Sequence, residues 1–184
     1  MKEIILQVPE GKKVEWVNDV LTLVDEQPKD ITERIKTFEN ACEELGEEHE
    51  LVKEYWDAIT AYLNTTQDLI AYLKLRIIVA ALNEGWEPQF TKDEYRYYPW
   101  FCFYTKEQYD KLDDENKGRC VLRPNYNTNS FNSFVYCITD NEASYSKTFY
   151  SSRLALKTYE LATYAGRQFI EEYADFIFKP CTNK

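Results

Sequence analysis

One histidine, five glycines and six prolines among 184 residues leave little material for several kinds of chemistry. With His49 as the sole histidine, multi-histidine metal sites are ruled out, and any Ser-His or Cys-His nucleophile would depend on one residue in an acidic stretch. The scarcity of Gly and Pro argues against a linker-rich or disordered chain. No GxxxxGK[ST] or GxGxxG phosphate loop occurs. The five cysteines, Cys42, Cys102, Cys120, Cys137 and Cys181, are widely spaced with no CxxC pair, so reduced thiols are expected rather than a zinc or redox motif. The longest apolar run, Leu69 to Leu82, is too short to cross a bilayer and contains Lys74 and Arg76. The start MKEIILQVPEGKK has no basic n-region, long apolar stretch or small-residue cleavage site, and export through a secretory signal is not expected. These shortages point to a non-enzymatic protein without cofactor, metal or membrane span.

Aromatic residues are abundant instead, at 16% of the chain. Ten of them fall within the 24 positions from Trp86 to Tyr109, directly after the most apolar helix pattern, which places a core there. Charge is divided unevenly. Residues 1–60 hold 16 acidic and 7 basic side chains, and the remainder 16 and 15. The acidity gathers at Glu39, Glu43, Glu44, Glu47, Glu48, Glu50, Glu54 and Asp57, which suits a solvated face or an acidic patch for a basic partner.

The elements follow from periodicity. Residues Ile4–Val8 and Val20–Val24, rich in β-branched side chains and separated by the Pro9-Glu10-Gly11 turn signal, predict two strands. Val14, Val17, Leu21 and Val24 would also fit one helical face. From Asp30 a helical stripe runs through Ile31, Ile35, Phe38, Cys42 and Leu45, ending at Gly46. A second helix carries Val52, Tyr55, Trp56 and Ile59. A third, 69–83, restarts at Thr65 with Asp68, is apolar on most of its circumference, and stops at Gly85 and Pro88. Tyr98 to Tyr104 reads as a strand apolar on both faces. Arg119–Arg123, Phe134–Thr139 and Ser152–Lys157 read as further strands, and Thr158 caps a last helix with Leu161, Ala165, Phe169, Tyr173 and Phe176 on its inner side. Gly166 in that helix would permit a close contact. The expected architecture is one α+β domain: an N-terminal strand pair, a helical section at 30–84, an antiparallel sheet at 97–157, and a helix at 158–178 packed on the sheet.

The runs LRIIVAALNEGWEP (75–88), YYPWF (97–101), SRLALKTYELATYAGRQFIEEYADF (152–176) and ITERIKTFENACEELG (31–46) resemble a group of small uncharacterised proteins encoded by phages and prophages of Bacteroidales bacteria. The likeness spans most of the chain. It departs at Ser151 and Ala155, where that group often has a glycine and a cysteine. The resemblance implies a phage setting in the bacterial host cytoplasm, with virion association left open, and a strand-turn at Val8-Pro9-Glu10-Gly11; it transfers no activity and no site residues.

Two surface features stand out. Arg119 and Arg123 share a face of one predicted strand, and Arg153 and Lys157 a face of another, so four cations on one sheet face could bind an anion or single-stranded nucleic acid. The segments 124–133 and 140–151 have the Tyr/Ser/Asn composition of binding loops, with Asn125, Tyr126, Asn127, Asn129, Phe131, Tyr145, Phe149 and Tyr150 as candidate contacts. The expected function is a module that binds a phage or host protein through those loops. Its alternatives are a single-stranded nucleic-acid binder using the basic face and an acidic nucleic-acid mimic. A net charge of −10 works against the first of these, and a homo-oligomer is compatible with the sequence.

Overall fold

A computed structural model describes residues 7–17, 19–25, 30–61, 65–89, 91–124, 131–142 and 152–177. The fold is α+β, and the residues form two compact units, Met1–Arg34 and Ile35–Lys184.

In the first unit, strands β1 (Lys12–Val17) and β2 (Val20–Asp25) form an antiparallel hairpin. A turn leads into β1: the Lys12 N–H donates to Pro9 O at 3.1 Å, with Gly11 at φ 75°, the positive φ that glycine supplies at the third position of a type II turn. Val17 pairs with Val20, so the strands join through a two-residue turn, in which Asp19 sits at φ 61°. The expected strand pair is therefore present with a different first member. Gln7 and Val8 lie outside any strand, residues 1–6 are outside the described ones, and β2 pairs with KKVEWV. Helix α1 (Ile31–Arg34) follows, with Asp30 Oδ1 accepting from the Thr32 N–H and hydroxyl at 2.8 Å each. Those hydrogen bonds hold the Asp30 carboxyl below its ordinary value.

The second unit begins with a departure from the expected stripe at 30–46. Thr37 accepts from the Asn40 N–H at 3.2 Å and starts a new helix, α2 (Phe38–Leu45), which ends at Gly46 with φ 86°. Helices α3 (Glu50–Ala61) and α4 (Gln67–Asn83) follow. Helix α4 is the centre of the unit. It packs against α2, α3 and the last helix, α8 (Ile170–Ile177), and Leu75, Ile77, Ile78 and Leu82 are fully buried. Its two cations are accommodated at its margins: Arg76 bonds Glu54 of α3 at 2.7 Å, and the Lys74 ammonium lies 5.0 Å from the Phe38 ring centroid. Glu84 and Gly85, at φ 49° and 81°, end it.

Strand β3 (Arg96–Tyr104) leads through two short capped helices, α5 (Lys106–Asp110) and α6 (Asp114–Gly118), to β4 (Val121–Pro124) and β5 (Phe131–Glu142). The antiparallel sheet has the order β3-β5-β4, with a bulge where Trp100 pairs with Ile138 and Phe101 with Tyr136. Two predicted strands are corrected. Asp113 caps α6 by accepting from the Asn116 N–H at 2.8 Å, which turns residues 114–118 into helix and leaves Arg119 as its C-cap. Ser152–Leu154 form a 3-10 turn, and Leu154, Ala155 and Leu156 are all buried, a run without the alternation of a strand. Leu156 still adds one bridge to the free edge of β3, exchanging two 3.0 Å hydrogen bonds with Tyr97.

The buried Asn83 side chain fastens that segment to the end of α4, donating to Ala155 O at 2.8 Å and accepting from the Lys157 N–H at 3.1 Å. Thr158 then caps α7 (Tyr159–Gln168) as expected, and Phe169 divides the predicted last helix into α7 and α8 (Ile170–Ile177). Helix α7 lies on β3 and β5. A Cβ added to Gly166 would stand 2.5 Å from Pro99 Cβ and 2.6 Å from Tyr136 Cδ2, so only glycine allows this approach. Helix α8 joins the sheet to the central helix: Tyr173 meets Phe101 at a centroid distance of 4.9 Å, and Phe176 stacks with Tyr72 at 5.6 Å. No helix among the described residues is long and apolar enough to cross a membrane.

Candidate functional site

Two of the four cations expected on one sheet face, Arg119 and Arg153, are not in strands. Arg119, at the end of α6, is exposed and paired with Glu115. Arg123 has its backbone in β4, opposite Asn132. Arg153 is exposed in the 3-10 turn, and the Lys157 ammonium bonds Glu84 at 2.8 Å. With Arg119 in a helix cap and Arg153 in a turn, the period-two argument no longer aligns Arg119 with Arg123 or Arg153 with Lys157. Of the candidate loop contacts, Asn125, Tyr126, Asn127, Asn129, Tyr145, Phe149 and Tyr150 lie outside the described residues, and Phe131 opens β5.

His49 Nδ1 accepts from the Leu51 N–H at 3.2 Å at the start of α3. Cys42, Cys102, Cys120 and Cys137 are free thiols. Burial pushes the Cys42 and Cys120 thiols up, and it raises Cys102 to about 11 with help from the neighbouring Cys137; a thiol protonated at neutral pH is a poor nucleophile and a poor metal ligand. Among the described residues no three His, Cys, Asp or Glu side chains could hold a metal ion together.

The most unusual surface is the hairpin. Alternation places Val14 and Trp16 on one face of β1, and the register sets Leu23 opposite Val14 and Leu21 opposite Trp16. This cross-strand quartet resembles half of a sheet core, yet Trp16 is 70% exposed, Leu23 51% and Leu21 48%. On the opposite face, Val17 and Val20 pair at the turn and are 43% and 62% exposed. Lys13 and Glu15, which alternation sets on that second face with Val17, form an ion pair at 2.6 Å. The signal lies in KKVEWV, whose alternating residues mark a half-buried strand while nothing in the sequence marks its cover. Trp16 was not singled out by that pattern, because its outward exposure depends on what packs against the hairpin.

No protein-family model, curated protein or solved structure matches the chain. Function must be read from these surfaces directly.

Proposed function

We propose that the protein is a non-enzymatic phage or prophage protein that works in the host cytoplasm by binding another protein, from the phage or from its bacterial host. The observation that supports this reading is the exposed Trp16–Leu21 and Val14–Leu23 face of the β1–β2 hairpin. An isolated two-stranded hairpin gains little stability of its own in water, and contiguous exposed apolar surface is a mark of interaction sites. A tryptophan flanked by leucines is also the kind of anchor that carries most of the energy at interfaces. The Tyr/Asn/Ser-rich segments 124–133 and 140–151 add the composition of contact loops. The phage setting rests on the resemblance of the runs at 31–46, 75–88, 97–101 and 152–176.

The test is co-purification of the tagged protein from infected or lysogenic cells, beside a Trp16→Ala, Leu21→Ala variant. A protein recovered in fixed ratio with the wild type and lost with the variant is expected. Recovery of the same partner by both forms would remove the hairpin from the binding surface.

A further inference from the structure

A cavity of about 710 Å³ lies beside β4 and β5, between α6 and the junction of α7 with α8. That volume falls within the range of small-molecule sites and far exceeds what an inorganic anion needs. Two guanidinium groups line it, Arg119 from the end of α6 and Arg167 from α7. Each is held in place. Arg119 is tethered to Glu115 through one of the five donors a guanidinium carries. Arg167 lies 5.1 Å from the centroid of the Tyr136 ring, and among the described residues it has no carboxylate partner.

Tyr136 is itself fixed. Its hydroxyl donates to Thr163 Oγ1 at 3.2 Å and shares a 2.9 Å hydrogen bond with Thr139 Oγ1, and the two threonines are 2.9 Å apart. Gly166 packs against the ring's edge. The platform beneath Arg167 is therefore immobilised by three hydroxyls and a helix backbone before any ligand arrives, which lowers the ordering cost of binding. A stacked guanidinium retains its outward fork of N–H donors, the geometry that suits phosphate.

The remaining walls divide by chemistry. Val121, Val135 and Ile170 supply apolar surface, and Glu171 of α8 is the one acid among the described lining residues. We propose that this cavity binds an organic phosphate of mononucleotide size, with Arg167 and Arg119 taking the phosphate and the apolar wall taking the ring. A cavity of this size suits one nucleotide rather than a continuous nucleic-acid strand. This assignment does not rest on the hairpin surface and stands or falls without it.

Isothermal titration at about 0.15 M salt with adenosine monophosphate, adenosine, inorganic phosphate and a short single-stranded oligonucleotide tests the assignment. Adenosine monophosphate should bind saturably, and adenosine at least about tenfold more weakly, because it lacks the charge-assisted hydrogen bonds to the two arginines. Arg167→Lys keeps the charge but loses the fork and should weaken adenosine monophosphate by a similar factor, whereas Arg153→Ala, away from the cavity, should leave it unchanged. Circular dichroism establishes that each variant is folded. The proposal is overturned if the wild type shows no saturable adenosine monophosphate binding up to about 10 mM, if the two variants bind equally, or if the oligonucleotide outcompetes the mononucleotide.

Discussion

The β1–β2 hairpin and helix α4 are both dense in Val, Ile, Leu and aromatic side chains, and they have opposite fates. In α4 every face meets a neighbour: α2 and α3 on one side and α8 on another, with Arg76 and Lys74 carried out to Glu54 and over Phe38 at the margins. In the hairpin the apolar pairs Trp16–Leu21 and Val14–Leu23 face largely outward. The difference teaches that apolar composition specifies a demand for burial and not its location. Where the chain itself meets the demand, a core results. Where it does not, the surplus is available to another molecule.

The sharpest way to break this contrast is to cut into α4. Ile78→Ala removes a fully buried side chain and should destabilise by about 2–5 kcal/mol, the lost transfer energy plus a residual cavity. Urea unfolding followed by circular dichroism measures it, and an unchanged midpoint would make α4 peripheral.

Gly166→Ala probes the next layer, where α7 meets the sheet. Alanine favours a helix over glycine by about 1 kcal/mol. Here, however, the new methyl collides with Pro99 and Tyr136 at 2.5 and 2.6 Å, and overpacking of this kind costs about 1–3 kcal/mol. A net loss of stability is expected, and a gain in melting temperature would show that α7 is not closely seated.

A smaller effect should come from Glu172, on the side of α8 that faces α4. Burial holds its carboxyl above the ordinary value of 4.5, against its own backbone N–H and Lys74, while Asp175 and Glu171 add to the rise. A raised carboxyl means that the folded state favours the protonated form. The group therefore costs nothing below its ordinary value and costs progressively more as pH rises through the folded one. Glu172→Gln should raise the melting temperature at pH 7 and leave it unchanged near pH 4. Equal shifts at both would refute the assignment.

The smallest effect on stability is expected from Trp16→Ala. Because that side chain is 70% exposed, its removal should alter unfolding free energy by less than about 0.5 kcal/mol, while abolishing partner binding. Loss of several kilocalories would reveal that the hairpin face is already covered.

The same contrast explains which elements are legible in the sequence. Helix α4 is plain because LIAYLKLRIIVAAL leaves no sustained polar face, and Thr158, Gly46 and Gly166 act where their chemistry predicts. The alternating strand β3 is equally clear. Other features are decided by competition between local signals. Thr37 with Asn40 divides the stripe that began at Asp30, because a capping hydroxyl near the middle of a helical pattern satisfies a new helix start as well as continued periodicity would. The Asp113 cap similarly carries helix to Gly118, so the strand expected from Arg119 begins only at Val121. At 152–157 the three consecutive buried residues Leu154, Ala155 and Leu156 answer to the end of α4, through Asn83, a contact 72 residues away in sequence. In the sequence the apolar run Ile4–Val8 outweighs the two-residue turn after Val17, which is what sets KKVEWV beside β2. Of the surfaces, neither the hairpin face nor the pairing of Arg119 with Arg167 is written in local pattern, since each depends on which elements meet.

Hydrogen exchange of the isolated protein tests the central claim, that α4 is the self-sufficient core and the hairpin a surface awaiting a partner. Amides of residues 73–82 should exchange only through global opening, and those of β1 and β2 far faster, through local opening of a hairpin that buries little. Protection of the hairpin equal to that of α4, in the absence of any partner, would contradict the account.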